Sequence, residues 1–270
     1  MANKSRRSIF VDNKKFIEVG SNPEKALQGD YQLNVVEIFK EAWDLTKVNK
    51  QPIISGLFFI VMIGMAFSLV ASDYLGGMEE VLANPEKQMI INLVATVILW
   101  PFIAGIEMMG ISHAVGIKTK TSYVFSFLKR SALIAITALI VTSITSIGFS
   151  LFLIPGIYLS VALSLTVPLI VEKGMTPIAA IVLSLKATRF QIFKLLQIYA
   201  MLLAILFATL LPGLAGIEPL FSMAIFIGSM VWLAPLYYNV KGVLYREIFG
   251  VRMQVVSKSA DGKPDTFFSA

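Results

Sequence analysis

The chain has 270 residues, 56% hydrophobic and 15% charged, with a formal net charge of +6 and a mean hydropathy of +0.76. Soluble domains carry about 25% charged residues, so this composition excludes most soluble-enzyme readings and points to a chain whose solvent is lipid. With no cysteine and one histidine, disulfides and thiol chemistry are excluded, and neither a zinc site nor any cofactor is expected.

Residues 1–33 read as a polar cytoplasmic tail. No apolar stretch in the first 50 residues resembles a cleavable signal peptide, so the first membrane helix is expected to target the chain. Lys4, Arg6, Arg7, Lys14 and Lys15 could touch anionic phospholipid headgroups, at about 1 kcal/mol per basic residue. The plainer alternative is a disordered tail that only enforces orientation.

The membrane domain is expected over 34–250, an all-α fold of six transmembrane helices introduced by amphipathic interfacial helices. The first such helix spans 35–50. Asn34 and Glu37 have the spacing of a capping box, and Val35, Ile38, Phe39, Ala42 and Leu45 form an apolar stripe. It ends in Thr46-Lys47, just before a first span over 52–71.

The second span, 89–112, contains Glu107 as its only charge. An intramembrane carboxylate is a functional candidate because burying charge in lipid is costly. Pro101, about two turns earlier, could open the helix toward an ion or substrate site. The structural alternative is a carboxylate that reaches water, is protonated, or bonds a neighbouring helix. His113 could extend a proton path, although six positions separate it from Glu107.

Residues 122–130 read as a weaker surface helix before the third span, 131–153. In that span Ala138, Thr142, Ser146 and Ser150 recur every fourth residue. Close helix packing is the expected use of such a face, and a polar conduit the alternative. Ile154-Pro155-Gly156 then supplies a turn signal, and the fourth span follows over 157–171.

A last surface helix is expected over 177–194, with Thr176 as N-cap, Pro177 in the first turn, and an apolar stripe of Ile178, Ile181, Val182 and Leu185. Thr188-Arg189 occupies the place that Thr46-Lys47 holds earlier. Spans five and six cover 195–211 and 221–240, and 251–270 is a cytoplasmic tail that reads as disordered from Asp261 onward. The pattern reads as three copies of surface helix, span in and span out. Chance is the alternative, since any helix leading into lipid carries apolar and basic residues.

Charge bias sets orientation. Asp73, Glu79, Glu80 and Glu86 lie in one link, whereas Lys118, Lys120, Lys129, Arg130, Lys173, Lys186 and Arg189 lie in others. Both tails are therefore expected on the positive, cytoplasmic side, which accounts for the net charge without nucleic acid. No phosphate-binding glycine loop, nucleophile elbow or metal-binding helix motif occurs, and no catalytic residue is assigned.

The segment IPGIYLSVALSLTVPLIVEKGMTPIAAIVLSLKATRFQIFKL resembles the YciC-type family of bacterial inner-membrane proteins and the membrane domain ahead of some glycerophosphodiester phosphodiesterases. The likeness is carried by the Pro155-Gly156 corner, the late Pro168, Glu172-Lys173-Gly174, and the helix ending in Ser184, Leu185 and Thr188. Ala42 to Lys47 resembles a second copy of that ending. The resemblance implies a six-helix bacterial inner-membrane protein without an established catalytic role. The phosphodiesterase activity belongs to a separate histidine- and carboxylate-rich soluble domain, so the resemblance does not imply that activity here. The sequence reading is thus a non-enzymatic scaffold, assembly factor or membrane-homeostasis component in contact with the lipid bilayer. A small transporter or channel using Glu107 is the rival.

Overall fold

Long apolar stretches must satisfy their backbone hydrogen bonds internally in lipid, and here they do so as helices. The computed structural model describes residues 6–11, 14–256 and 265–268, with side chains over 17–253. Six helical stretches are long and apolar enough to cross a membrane: α2 (Val35–Tyr74), α4 (Pro85–Ala114), Thr121–Leu151, Leu153–Lys173, Pro177–Leu214 and α10 (Pro219–Phe249). Short helices α1 (Pro23–Gln28) and α3 (Met78–Ala83) precede α2 and α4. The membrane-spanning part of the chain is all-α and multi-pass.

The first surface helix and the first span are one element, α2. Asn34 caps it, accepting from the backbone N–H groups of Val36 and Glu37. Pro52 lies inside the helix, and the backbone leaves helical values at Asn49 (φ −121°, ψ 18°). A proline clashes with the carbonyl four residues earlier, which places the bend here. Two other spans begin at the same kind of joint. Arg130 (φ −108°, ψ 14°) precedes α5 (Ser131–Leu151), and Gln191 (φ −128°, ψ 34°) precedes α9 (Ile192–Leu214). Ahead of the second joint, 122–130 forms two short 3-10 turns rather than a surface helix. Ahead of the third lies α8 (Pro177–Thr188), where Pro177 occupies the first turn but the Thr176 side chain makes no capping bond.

The corner expected at Ile154-Pro155-Gly156 lies earlier, at Phe152 (φ −160°, ψ 159°). Pro155 and Gly156 fall in the first turns of α6 (Leu153–Ala162), where a proline costs the helix little because the first N–H groups have no intrahelical partner. Gly156 lets α6 lie against α5, since a Cβ there would run into the Phe149 ring. The fourth span gains length from these residues but breaks between α6 and α7 (Thr166–Lys173), which contains Pro168.

Burial is lopsided along the bundle. In α4 the buried run begins at Pro101, and in α10 at Leu233, continuing to Phe249. In α5 most buried residues (Ile134, Ala135, Thr137, Ala138) lie in the first turns, and in α9 the buried residues (Leu195, Ile198, Leu202) lie in the first half. The packed core therefore occupies the end of the bundle nearer the chain termini. The hairpin end exposes large apolar side chains such as Leu69, Val70, Leu210 and Phe221, as lipid-facing helices do.

The expected tails contain structure. β1 (Arg6–Val11), β2 (Lys14–Val19), β3 (Val251–Val256) and β4 (Asp265–Phe268) form an antiparallel sheet in that order. β2 pairs with β3, with Glu18 opposite Arg252, so both ends of the chain meet on one side of the bundle. The disorder expected from Asp261 does not extend to 265–268, which pair with β3. Lys4, 261–264 and 269–270 lie outside the described residues.

Candidate functional site

α4 and α10 run side by side because both present glycine at their crossing. A Cβ on Gly110 would run into the backbone oxygen of Tyr238, and one on Gly242 into that of Gly110. This close approach gathers the buried polar side chains of the core.

Glu107 lies 22 residues after Pro85, and Lys241 lies 22 residues after Pro219. At 1.5 Å per residue both sit about 33 Å along their helices, one hydrocarbon thickness from the hairpin end. They form an ion pair from Lys241 Nζ to Glu107 Oε1, with both side chains 5% exposed. Glu107 Oε2 is buried and has no hydrogen-bond partner among the described residues. Of the alternatives open to Glu107, the geometry selects a bond to a neighbouring helix. α4 stays helical through Pro101, which is itself buried. The broken helix expected there occurs instead between α6 and α7.

His113 does not join Glu107. Its Nδ1 lies 2.9 Å from Asn239 Oδ1 and its Nε2 lies 2.9 Å from Thr119 Oγ1. Asn239 Nδ2 donates to Thr46 Oγ1 at 2.9 Å, and the Thr46 hydroxyl donates to the Ala42 carbonyl. With Asn239 Oδ1 as acceptor, Nδ1 carries the proton and Nε2 accepts from Thr119, so a neutral ring satisfies every partner. The chain of bonds ties α2, α4 and α10 together. The expected proton path from Glu107 through His113 has no continuous link among the described residues.

Arg246, 1% exposed, is a second tie. Its two terminal nitrogens donate to the two Glu41 oxygens at 2.7 and 2.9 Å, a fork that matches carboxylate geometry. It also bonds the Ala114 carbonyl and Glu247. Glu172, also buried, accepts from the Tyr245 hydroxyl at 2.8 Å and the Arg252 backbone N–H at 2.7 Å, joining α7 to α10 and to β3.

The residues marked by motif serve the frame. The Thr188 hydroxyl donates to the Ser184 carbonyl as Thr46 does to Ala42, each one turn back and fully buried. Lys47 is exposed and pairs with Asp44, and Arg189 stacks on Phe190 at 4.7 Å. The small face of α5 does not pack as expected. Ala138 is buried, but Thr142, Ser146 and Ser150 are exposed, and the close contact is Gly148 against Gly156.

Lys241, Asn239, Arg246 and Glu41 carried no site expectation. One signal in the chain points to the first: Pro235 precedes Lys241 by six residues as Pro101 precedes Glu107, and Gly250 follows Lys241 by nine as Gly116 follows Glu107. Both glycines have positive φ, +64° at Gly250 and +85° at Gly116.

The arrangement defines a polytopic membrane protein whose buried charges bind helix to helix. No family model matches the chain, no curated protein matches it, and no solved structure matches it.

Proposed function

We propose that this chain is a non-enzymatic component of the bacterial inner membrane, a scaffold or membrane-homeostasis factor with both termini in the cytoplasm. The observation that supports it most directly is the use of the buried charges. Glu107 joins α4 to α10, Arg246 joins α10 to α2, and Glu172 joins α7 to α10 and β3. Groups committed to holding helices together build a rigid frame. The acidic hairpin link and the basic links opposite it support the orientation, and the resemblance to YciC-type proteins supports the bacterial inner membrane.

A small transporter is the second reading, favoured by the cavity that borders Glu107 and Lys241. The two readings separate in liposomes loaded with a pH-sensitive dye under an imposed membrane potential. The scaffold reading expects no flux above that of empty vesicles. Proton flux that disappears in Glu107→Gln/Lys241→Met, while the protein still reconstitutes, would overturn it. The paired substitution is required because Glu107→Gln alone strands a buried ammonium and confounds function with folding.

A further inference from the structure

Two adjoining cavities share Tyr237 and Tyr238 of α10 in their walls. The smaller, of about 450 Å³, is bordered by Glu107, Lys241 and the hydroxyl-bearing Thr142, Thr145 and Ser146 of α5. The larger, of about 780 Å³, has almost entirely apolar walls and follows α10 from Tyr238 back to Met230. That eight-residue step covers about 12 Å of helix. Phe149, Ser160, Ser164 and the two tyrosines border both spaces. The rims are open: Thr142 and Ser146 are exposed beside the smaller cavity, and Leu203 is 51% exposed beside the larger. Both volumes fall within the roughly 300–1,000 Å³ of small-molecule sites.

We propose that these adjoining cavities together bind an uncharged lipid whose head carries a hydroxyl, with the head beside Glu107 and Lys241 and the chain between α9 and α10. Three observations carry the assignment. First, Glu107 Oε2 is a buried acceptor without a donor among the described residues, and a buried polar atom calls for a partner. Second, the Glu107–Lys241 pair is already neutral. A cationic or anionic head would add an unbalanced charge in a medium of low dielectric, whereas a hydroxyl donates and accepts without adding one. Third, the polar end lies about 33 Å from the hairpin ends of α4 and α10, and the apolar end lies deeper toward those hairpins. That is the direction in which a lipid of the leaflet nearer the termini points its chain. The site goes beyond the non-enzymatic reading and does not depend on it.

The test is photolabelling of the full-length protein in nanodiscs with a monoacylglycerol that carries a diazirine in its acyl chain. Adducts are expected on cavity residues such as Leu203, Leu206 and Leu233. Competition by unlabelled monoacylglycerol is expected to be about tenfold stronger than by the methyl ester of the same chain, which lacks the donor. A long-chain amine should compete no better than the ester. A simple long-chain alcohol distinguishes the sources: if it competes as well as monoacylglycerol, the site takes lipid alcohols generally, and if it does not, the site takes glycerides. Ala200→Phe, at the exposed mouth of the larger cavity, should abolish the labelling. Glu107→Gln/Lys241→Met should erase the difference between monoacylglycerol and ester. Ala200→Phe keeps the test decisive should the paired variant fail to accumulate. Labelling spread evenly over outward residues such as Phe58 and Leu210, equal competition by the ester, or preference for the amine would overturn the assignment.

Discussion

Replacing Glu107 by Gln leaves Lys241 buried without its carboxylate, and replacing Lys241 by Met leaves the carboxylate without its ammonium. Each single change is expected to destabilise the protein by about 3–5 kcal/mol, the usual cost of breaking a buried pair. The double variant should recover most of that loss, because no charge then remains to be compensated. Thermal unfolding of the four proteins in detergent gives the coupling as a double-mutant cycle, and additive losses would show that the pair is not a unit. Tyr31, outside the spans, offers a test through pH. Its hydroxyl donates to the Ala187 carbonyl at 2.7 Å, and burial pushes its pKa up to about 12. The folded state thus favours the neutral phenol. That stabilisation is complete below the unfolded pKa of about 10 and is lost as pH rises from 10 through 12. Tyr31→Phe should therefore unfold with a shallower dependence on pH than the parent in that window, and at neutral pH should lose about 1 kcal/mol for the missing bond. Glu107 was legible in the sequence because a lone charge in an apolar run stands out. Its partner was not, because Lys241 follows the last apolar run and reads as one more positive residue of the terminal-side flank. Pairing across 134 positions is a property of helix register, which no single run displays.

The helices were legible wherever hydrophobicity alone decides the outcome, since lipid enforces helix on any long apolar run. Their breaks were legible only in part. Proline-glycine is a strong turn signal in water, but Pro155 is compatible with the first turns of α6, so the bend moved to Phe152. The spacing of Ala138, Thr142, Ser146 and Ser150 marked a small face without saying whether a helix covers it. The decisive small residues were instead glycines at a crossing. Gly242→Ala is expected to push α10 off α4 and lower stability by about 1–3 kcal/mol, the usual range for overpacking. Gly228→Ala, on the same helix but with nothing near its would-be Cβ, should be neutral or stabilising by up to about 1 kcal/mol through helix propensity. Unfolding midpoints of the two variants measured together decide this, and equal losses would contradict the crossing. Likewise Asn49, Arg130 and Gln191 share a non-helical backbone just ahead of a span although their side chains have little in common. The recurrence lies in the backbone geometry of the joints and not in the whole unit, since 122–130 forms two 3-10 turns where the other joints follow a helix.

The arrangement of the two chain ends was the least legible feature. The strands are short, and although β3 alternates apolar Val251, Met253 and Val255 with Arg252 and Gln254, pairing between residue 18 and residue 252 cannot be read from either segment alone. It has a direct check. Glu18 and Arg252 are opposite one another in the β2–β3 ladder, and Cα atoms in antiparallel pairs lie about 4.5–5.5 Å apart, within disulfide range. Glu18→Cys/Arg252→Cys in this cysteine-free chain should oxidise to a single intramolecular bond. Digestion and mass spectrometry should then recover peptides from the two ends joined, and failure to link them would remove the ladder. The same ladder bears on how the protein is made. β2 leaves the ribosome before any of the six crossings, yet its partner β3 follows the last of them. Through the whole of membrane insertion the early hairpin presents an open strand edge, and only a chain that has delivered α10 to its place can close it. A nascent chain halted anywhere before Val251 would keep that edge of β2 unpaired, so the ladder closes only once all six crossings have been made.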